Sequence, residues 1–353
     1  MNMANDSFAN NSLGAVMASE IAETPQVFSR ILSNLDALEP IKDILTANKI
    51  SSILILARGT SDNAAHFLKY LVETKLGLPC GLTSPSSVTI YDAELHYQGV
   101  LVVALSQSGQ SPDLVAFANS AKRAGAKLIS LTNDANSPLA KAADHHLDLQ
   151  AGAELAVAAT KSYSAQLLTS YLLVATWAKL SINGDSLIAE AEKLVNNAAL
   201  VSQAVDACSR ENETVVLGRG FAYPNAREAA LKIQETCKVS VQGLSTADYL
   251  HGPISALTPQ TQVFILAPAH LPMNSISEAT TRIRAITGRI FWVGNGGSPE
   301  AGDIVIPGSN CRDEMESTIV DAISLQRFSL EFAKKSGFDP DAPVGLSKVT
   351  LTH

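Results

Sequence analysis

The sequence predicts an α/β protein made of two tandem copies of one unit, each a parallel sheet covered by helices on both faces. Three observations lead there. From about residue 50, short β-branched runs bounded by turn residues alternate with apolar residues at helical spacing. The alternation then starts again: ILILARG (53–59) aligns with TVVLGRG (214–220) at a shift of 161 residues, and the next two strands follow at nearly the same shift. Finally, 353 residues that are 46% hydrophobic suit two domains of ordinary size with a large core, which excludes disorder.

The elements follow in order. Residues 1 to about 12 are polar and are expected to fray. Helical spacing over 17–32 and 35–46 predicts N-terminal helices. Strands are predicted at 53–56, 100–105, 127–131 and 146–150, followed by helices over 61–76, 111–124, 137–143 and 162–180. Residues 181–212 read as a helical connector. Further strands are predicted at 214–217, 262–266, 289–293 and 303–306. The expected partition is an N-terminal helical segment 1–34, a first domain 35–180, the connector 181–212, a second domain 213–338 and a C-terminal tail 339–353.

Composition narrows the function classes. Lys and Arg total 26 against 34 Asp and Glu, a formal charge of −8, which argues against a nucleic-acid protein. Charged residues make up 17%, below the roughly 25% of typical soluble domains, which leaves room for a subunit interface. Cys80, Cys208, Cys237 and Cys311 lie far apart with no CxxC pair and read as reduced thiols of a cytoplasmic protein. The first residues show neither a basic nor an apolar region of a signal peptide. The longest apolar stretch, 167–180, is too short and too interrupted to span a bilayer. No His, Cys and Asp cluster has metal-ligand spacing, so no metal is expected.

Two turns in the first copy stand at strand ends and open helices: ARGTSDN (57–63) and LSQSGQSPD (105–113). Ligands of open parallel sheets bind at that edge, where N–H groups and the positive helix end favour an anion. Ser61, Ser106, Ser108 and Ser111 add hydroxyls and Gln107 an amide, while Gly59 and Gly109 let the backbone come close. Neither loop contains Lys, so neither is a nucleotide cradle; the neutral donor set suits the phosphate of a small metabolite. Either turn alone is equally an ordinary helix cap; the pair together favours a ligand. At the corresponding place the second copy reads LAPAHLPMN (266–274), so the ligand loop exists once.

LSQSGQSPD, with GTS upstream, resembles the phosphosugar-binding signature of the SIS (sugar isomerase) domain family. AGAELAVAATKSYSAQL (151–167), EAALKIQE (228–235), LHGP (250–253) and GLSKVTLTH (345–353) resemble, in order, the isomerase half of glucosamine-6-phosphate synthase, and the likeness runs from MASEIAETP (17–25) to the end. The resemblance implies two SIS domains of flavodoxin-like, three-layer form. It implies that Thr60, Ser61, Ser106, Gln107, Ser108 and Ser111 hold the phosphate and that Val157 offers backbone contacts to the sugar. It makes Glu235 the base between C1 and C2, His251 the ring opener, Lys348 the lysine that meets the C2 carbonyl or imine, and Lys232 its companion in the motif. In the family the chain is a dimer with shared active sites, so the same is expected here.

The residues agree with those roles in part. Lys232 and Glu235 are three apart on a predicted helix and share a face, so an ammonium can hold the carboxylate ionised; an arbitrary pair of this spacing is otherwise a surface ion pair. His251 adjoins Gly252 and Pro253, a fixed turn, and Lys348 lies in an irregular tail. Departures are Ala159, where the family has a serine, and the ADYLHGP stretch, with Asp248 in place of a longer acid and Leu250 in place of a lysine. The synthase begins with a glutaminase domain whose nucleophile is a cysteine, whereas this sequence starts Met-Asn-Met and its first cysteine is Cys80. The expected activity is therefore an isomerising deaminase converting glucosamine 6-phosphate and water to fructose 6-phosphate and ammonium, a reaction for which neither metal nor organic cofactor is expected. A fructosamine-6-phosphate deglycase, a galactosamine-6-phosphate deaminase and a non-catalytic sugar-phosphate sensor stand as alternatives.

Overall fold

The structure, a computed structural model, describes residues 13–348; the predicted frayed stretch and the end of the C-terminal motif, residues 349–353, lie outside the described residues. The first sheet comprises β1 (Ser52–Leu56), β2 (Cys80–Leu82), β3 (Val100–Ser106), β4 (Lys127–Thr132) and β5 (His145–Asp148), in the order β2-β1-β3-β4-β5. The second comprises β6 (Thr214–Gly218), β7 (Val241–Ser245), β8 (Gln262–Leu266), β9 (Ile290–Val293) and β10 (Ile304–Ile306), in the order β10-β9-β8-β6-β7. Every pairing is parallel. Read from β7, the second order repeats the first, and both reverse direction between their first and third strands, the switch point of a flavodoxin-like sheet.

Each sheet has one strand more than the sequence predicts, and it is the same one in each. The sequence pattern assigns no element to β2 or β7. Both are edge strands: β2 is three residues long and half-buried throughout, and β7 reads VQGLS, with Gln, Gly and Ser where a central strand carries branched apolar residues. Their first residues, Cys80 and Val241, keep the 161-residue shift. Other boundaries move slightly. The helix expected over 35–46 is a 3₁₀ segment, Leu35–Ile41, containing Pro40, followed by the turn Ile44–Ala47. The connector holds two helices, Gly184–Asn196 and Ser202–Ala207.

The described chain divides into two compact units. One contains Gln26–Ala153 and Lys161–Gly184, with the first sheet; the other contains the N-terminal residues to Pro25, Glu154–Thr160 and Asp185–Lys348, with the second sheet. In the first, Leu56, Val102, Ala104 and Leu128 pack on Leu114, Phe117, Ala118 and Ala121 of helix Pro112–Arg123. In the second, alternation along the strands sorts side chains to two faces. Val215, Leu217, Val263, Ile265, Ile290 and Trp292 pack on Ile276, Ala279 and Ile283. Phe264 and Phe291 face the other way, stacked at 4.5 Å, with Phe328 of helix Glu314–Lys335 at 5.0 Å from Phe264.

Two glycines bring helix Tyr223–Cys237 down onto its sheet. A Cβ at Gly218 would lie 2.5 Å from the Ala222 carbonyl oxygen, and one at Gly243 2.5 Å from that of Ala226. Such backbone-to-backbone approach admits only glycine. The helix so placed carries Lys232 and Glu235.

Candidate active site

In the first unit, the turns after β1 and β3 stand on neighbouring strands, since Leu56 pairs with Ala104. Gly59 starts helix Thr60–Leu71 at φ 56° and ψ −132°, a conformation natural to glycine alone. Ser61 is 6% exposed and its Oγ accepts from Gln166 Nε2 at 2.9 Å. Ser106, equally buried, accepts the Gly109 N–H at 3.0 Å, and Ser108 Oγ accepts that of Gln110 at 3.3 Å. Each of these hydroxyls, having accepted, still has its own hydrogen to donate. Gly109 has φ 63°, and a Cβ there would lie 2.3 Å from Ser137 Oγ. Ser111 occupies the N-cap of helix Pro112–Arg123 but makes no side-chain capping bond, so ordinary capping does not account for its hydroxyl. Gln107, half-buried, accepts the Asn133 N–H on its backbone carbonyl at 3.1 Å. Arg58 Nε reaches the buried Asp113 carboxylate at 3.0 Å and ties the two turns together. The result is a cradle of hydroxyls, amides and helix ends without a lysine, suited to a phosphate monoester.

The second sheet's switch point is closed. Where β6, β8 and β9 end, Ala222, Asn225, Leu266, Pro268, Val293, Thr318, Asp321 and Leu325 leave a cavity of about 10 Å³, room for a single water. Asp321 lines it, its Oδ1 taking the N–H and the hydroxyl of Ser309 at 2.6 and 2.8 Å. Burial pushes this carboxyl up to about 7. The absence of a second ligand loop, predicted from the sequence, has this packing as its counterpart.

The second unit carries Lys232, Glu235, His251 and Lys348. Lys232 is 1% exposed, with Nζ 2.5 Å from Glu235 Oε2 and 3.5 Å from Glu228 Oε1. Burial by itself would discharge the lysine; the Glu228 and Glu235 carboxylates outweigh that and hold it above its ordinary range. An ammonium therefore stands beside Glu235, whose side chain remains 20% exposed. The pair is thus no solvated surface bridge.

Lys348 also has partners. Its Nζ donates to Glu154 Oε2 at 2.9 Å and to the Ala156 carbonyl at 2.7 Å. Glu154 is buried, and its other oxygen accepts the Thr160 N–H at 2.9 Å. Its charge also reaches Lys232. Val157 and Ala159, half-buried, belong to the segment that Glu154 closes on itself, and Gln326 Nε2 holds the Thr160 carbonyl at 2.9 Å. His251 is exposed after the short helix Thr246–Leu250 and makes no side-chain hydrogen bond among the described residues. Asp248 is exposed as well.

Glu154 and Glu228 were not picked out from the sequence. Glu228 had a signal, standing four residues before Lys232 on the same helical face. For Glu154 the only signal was its place beside the quoted AVAAT stretch.

A profile of the SIS domain matches residues 47–176. The chain is 30% identical over 356 residues to a glutamine–fructose-6-phosphate aminotransferase (isomerizing) from Aquifex aeolicus (strain VF5), across 96% of this chain and 58% of that one. It thus spans a little under three fifths of that relative's length. A protein from Silicibacter pomeroyi DSS-3 assigned as a phosphosugar isomerase superposes with a TM-score of 0.82 at 31% identity, covering 92% of this chain and 99% of that one. The fold is shared with a glucosamine-6-phosphate deaminase from Thermotoga maritima, TM-score 0.76 at 21% identity over 96% of this chain and 100% of that one. Among the described residues no helix is long and apolar enough to cross a membrane.

Proposed function

The chain belongs to the SIS-domain phosphosugar isomerase family, and from that premise we propose that it converts glucosamine 6-phosphate and water to fructose 6-phosphate and ammonium. The observation that carries the proposal is the buried Lys232 ammonium 2.5 Å from a carboxylate still open to a ligand. Moving a proton between adjacent sugar carbons needs such a carboxylate, ionised and positioned.

In this reading Thr60, Ser61, Ser106, Gln107, Ser108 and Ser111, with the backbone at Gly59, bind the phosphate. His251 opens the ring. Glu235 takes the proton from C2 and returns it to C1, while a proton passes from the nitrogen to the C1 oxygen; the aldehyde becomes an alcohol and C2 an imine. Lys348 meets that imine, backbone at Val157 orients the sugar hydroxyls, and water replaces the nitrogen, leaving the ketone and ammonia. Burial raises the thiols of Cys80, Cys208 and Cys311 to about 12 and that of Cys237 to about 11, so none of these four offers a thiolate nucleophile. All four are unpaired, in keeping with a reducing cytoplasm.

We extend the proposal to a homodimer in which His251 serves the Glu235 of its partner; its exposure without a side-chain partner is the supporting feature. The test of the reaction is a panel of glucosamine 6-phosphate, galactosamine 6-phosphate and a fructosamine 6-phosphate, with ammonium and fructose 6-phosphate measured. Equal amounts of both products from glucosamine 6-phosphate, without glutamine, are expected. If that sugar stays intact while the fructosamine is cleaved, the protein is a deglycase and the proposal is wrong.

A further inference from the structure

A lysine in an irregular tail needs something to fix it. Here residues 14–17 meet residues 339–341. The first N–H groups of helix Ala15–Ala22 have no partners within the helix. Asp339 Oδ1 accepts the Gly14 N–H at 3.1 Å, and Asp341 accepts those of Val16 at 2.9 Å and Met17 at 2.8 Å. A carboxylate at a helix N-terminus is favoured by the helix dipole as well. The chain leaving helix Glu314–Lys335 is thereby drawn to the first helix seven residues before Lys348.

Further along that first helix stands Glu20, 4% exposed. Its Oε1 accepts the N–H groups of Leu155 and of Ala156, the latter at 3.3 Å. Ala156 in turn offers its carbonyl to Lys348, and Glu154, one residue before Leu155, offers its carboxylate. One three-residue stretch therefore has two of its N–H groups, those of Leu155 and Ala156, held by Glu20, and its Glu154 carboxylate and Ala156 carbonyl bound by Lys348. Glu20 is an awkward group to bury: its Oε2 has no hydrogen-bond partner, and the Glu154 charge opposes its own. What the buried carboxylate does in this place is hold the N–H groups of Leu155 and Ala156.

We propose that Glu20 is a positioning residue for Lys348, acting through the backbone of residues 154–156. Only the purpose of the lysine rests on the reaction proposed above; the positioning is independent of it. Pulsed acetylation of the native protein, with the extent at Lys348 read by mass spectrometry against exposed Lys141, tests this in Glu20→Ala, Glu20→Asp and Glu20→Gln. Glu20→Ala and Glu20→Asp remove or withdraw the acceptor and should raise labelling of Lys348 about fivefold or more. Glu20→Gln keeps an acceptor oxygen in place and should restore slow labelling. Turnover in Glu20→Ala and Glu20→Asp should fall in kcat with KM near the parent's, because the phosphate cradle is untouched.

Labelling at the parent rate in Glu20→Ala overturns the proposal. Should Glu20→Ala fail to fold, Glu20→Asp against Glu20→Gln decides, and equal labelling of the two overturns it. If labelling responds as expected while the parent protein releases no ammonium from any aminosugar phosphate, the positioning stands and the reaction falls.

Discussion

Replacing Lys232 by Met separates the structural duty of one buried ammonium from the chemical duty proposed for it. The substitution keeps the volume but takes the Lys232 ammonium away from Glu228, 3% exposed, and from Glu235. Breaking a buried ion pair from one side costs about 3–5 kcal/mol, because the abandoned charge stays in a poorly solvated place. In the parent the folded lysine binds its proton more tightly than in the unfolded chain. Its contribution is therefore complete at any pH below the ordinary lysine value and fails only in strong alkali, as pH rises through the raised folded value. In the variant the stranded carboxylate can relieve itself by taking up a proton, so the deficit should shrink toward about pH 5. Adding Glu228→Gln removes the stranded charge, and most of the stability should return in denaturant titrations at neutral pH. Turnover should not return, because Glu235 still lacks the ammonium 2.5 Å away; a deficit on the order of 10²-fold is expected for a disabled general base. A Lys232→Met protein as stable as its parent would refute the buried network. A double variant with restored turnover would refute the catalytic duty.

The cradle and the base should separate kinetically: Ser106→Ala or Ser108→Ala raises KM, by a hydrogen bond to a charged group of about 1.5–3 kcal/mol, while Glu235→Gln collapses kcat with KM near the parent's. Unchanged turnover in Glu235→Gln would remove it from the reaction. Asp321 has its folded carboxyl raised from 3.8 to about 7, so its contribution is complete below the unfolded value and is lost as pH rises through the folded one. Asp321→Asn, which keeps the acceptor for Ser309, should flatten the pH dependence of unfolding by up to about 4 kcal/mol between acid and neutral pH; a variant profile parallel to the parent's would clear Asp321 of it. If His251 serves the partner subunit, mixing inactive His251→Ala with inactive Glu235→Gln and exchanging subunits restores one intact site in each mixed dimer, about a quarter of full activity. Activity that stays at the single-variant level after exchange, verified by native mass spectrometry, would assign His251 to its own chain.

What could be read from the sequence is what local chemistry writes. Central strands announce themselves by branched apolar runs, and the serine loops and the Lys232–Glu235 spacing are visible within a few residues of chain. Edge strands do not: β2 and β7 owe their extended form to the neighbours they pair with, Leu54 beside Gly81 and Val216 beside Gly243, more than to their own residues. The acids around the lysines were hidden for a different reason. Lys348 and Glu154 stand 194 residues apart in sequence, and the Asp339 contact to Gly14 spans 325. Neither periodicity nor a short motif reports on a bond of that range; the family likeness pointed to Lys348 without showing what holds it. The same holds at the second switch point. The loss of its serine cluster is plain in LAPAHLPMN, but a group that lines the vacated crevice, Asp321, arrives from a helix that begins at Glu314. Its carboxyl is tolerable there only because Ser309, twelve residues earlier, turns both its N–H and its hydroxyl toward it. A binding crevice is thus written locally, as donors at strand ends, whereas its closure in the sister sheet depends on a distant helix and becomes visible only when the chain is folded.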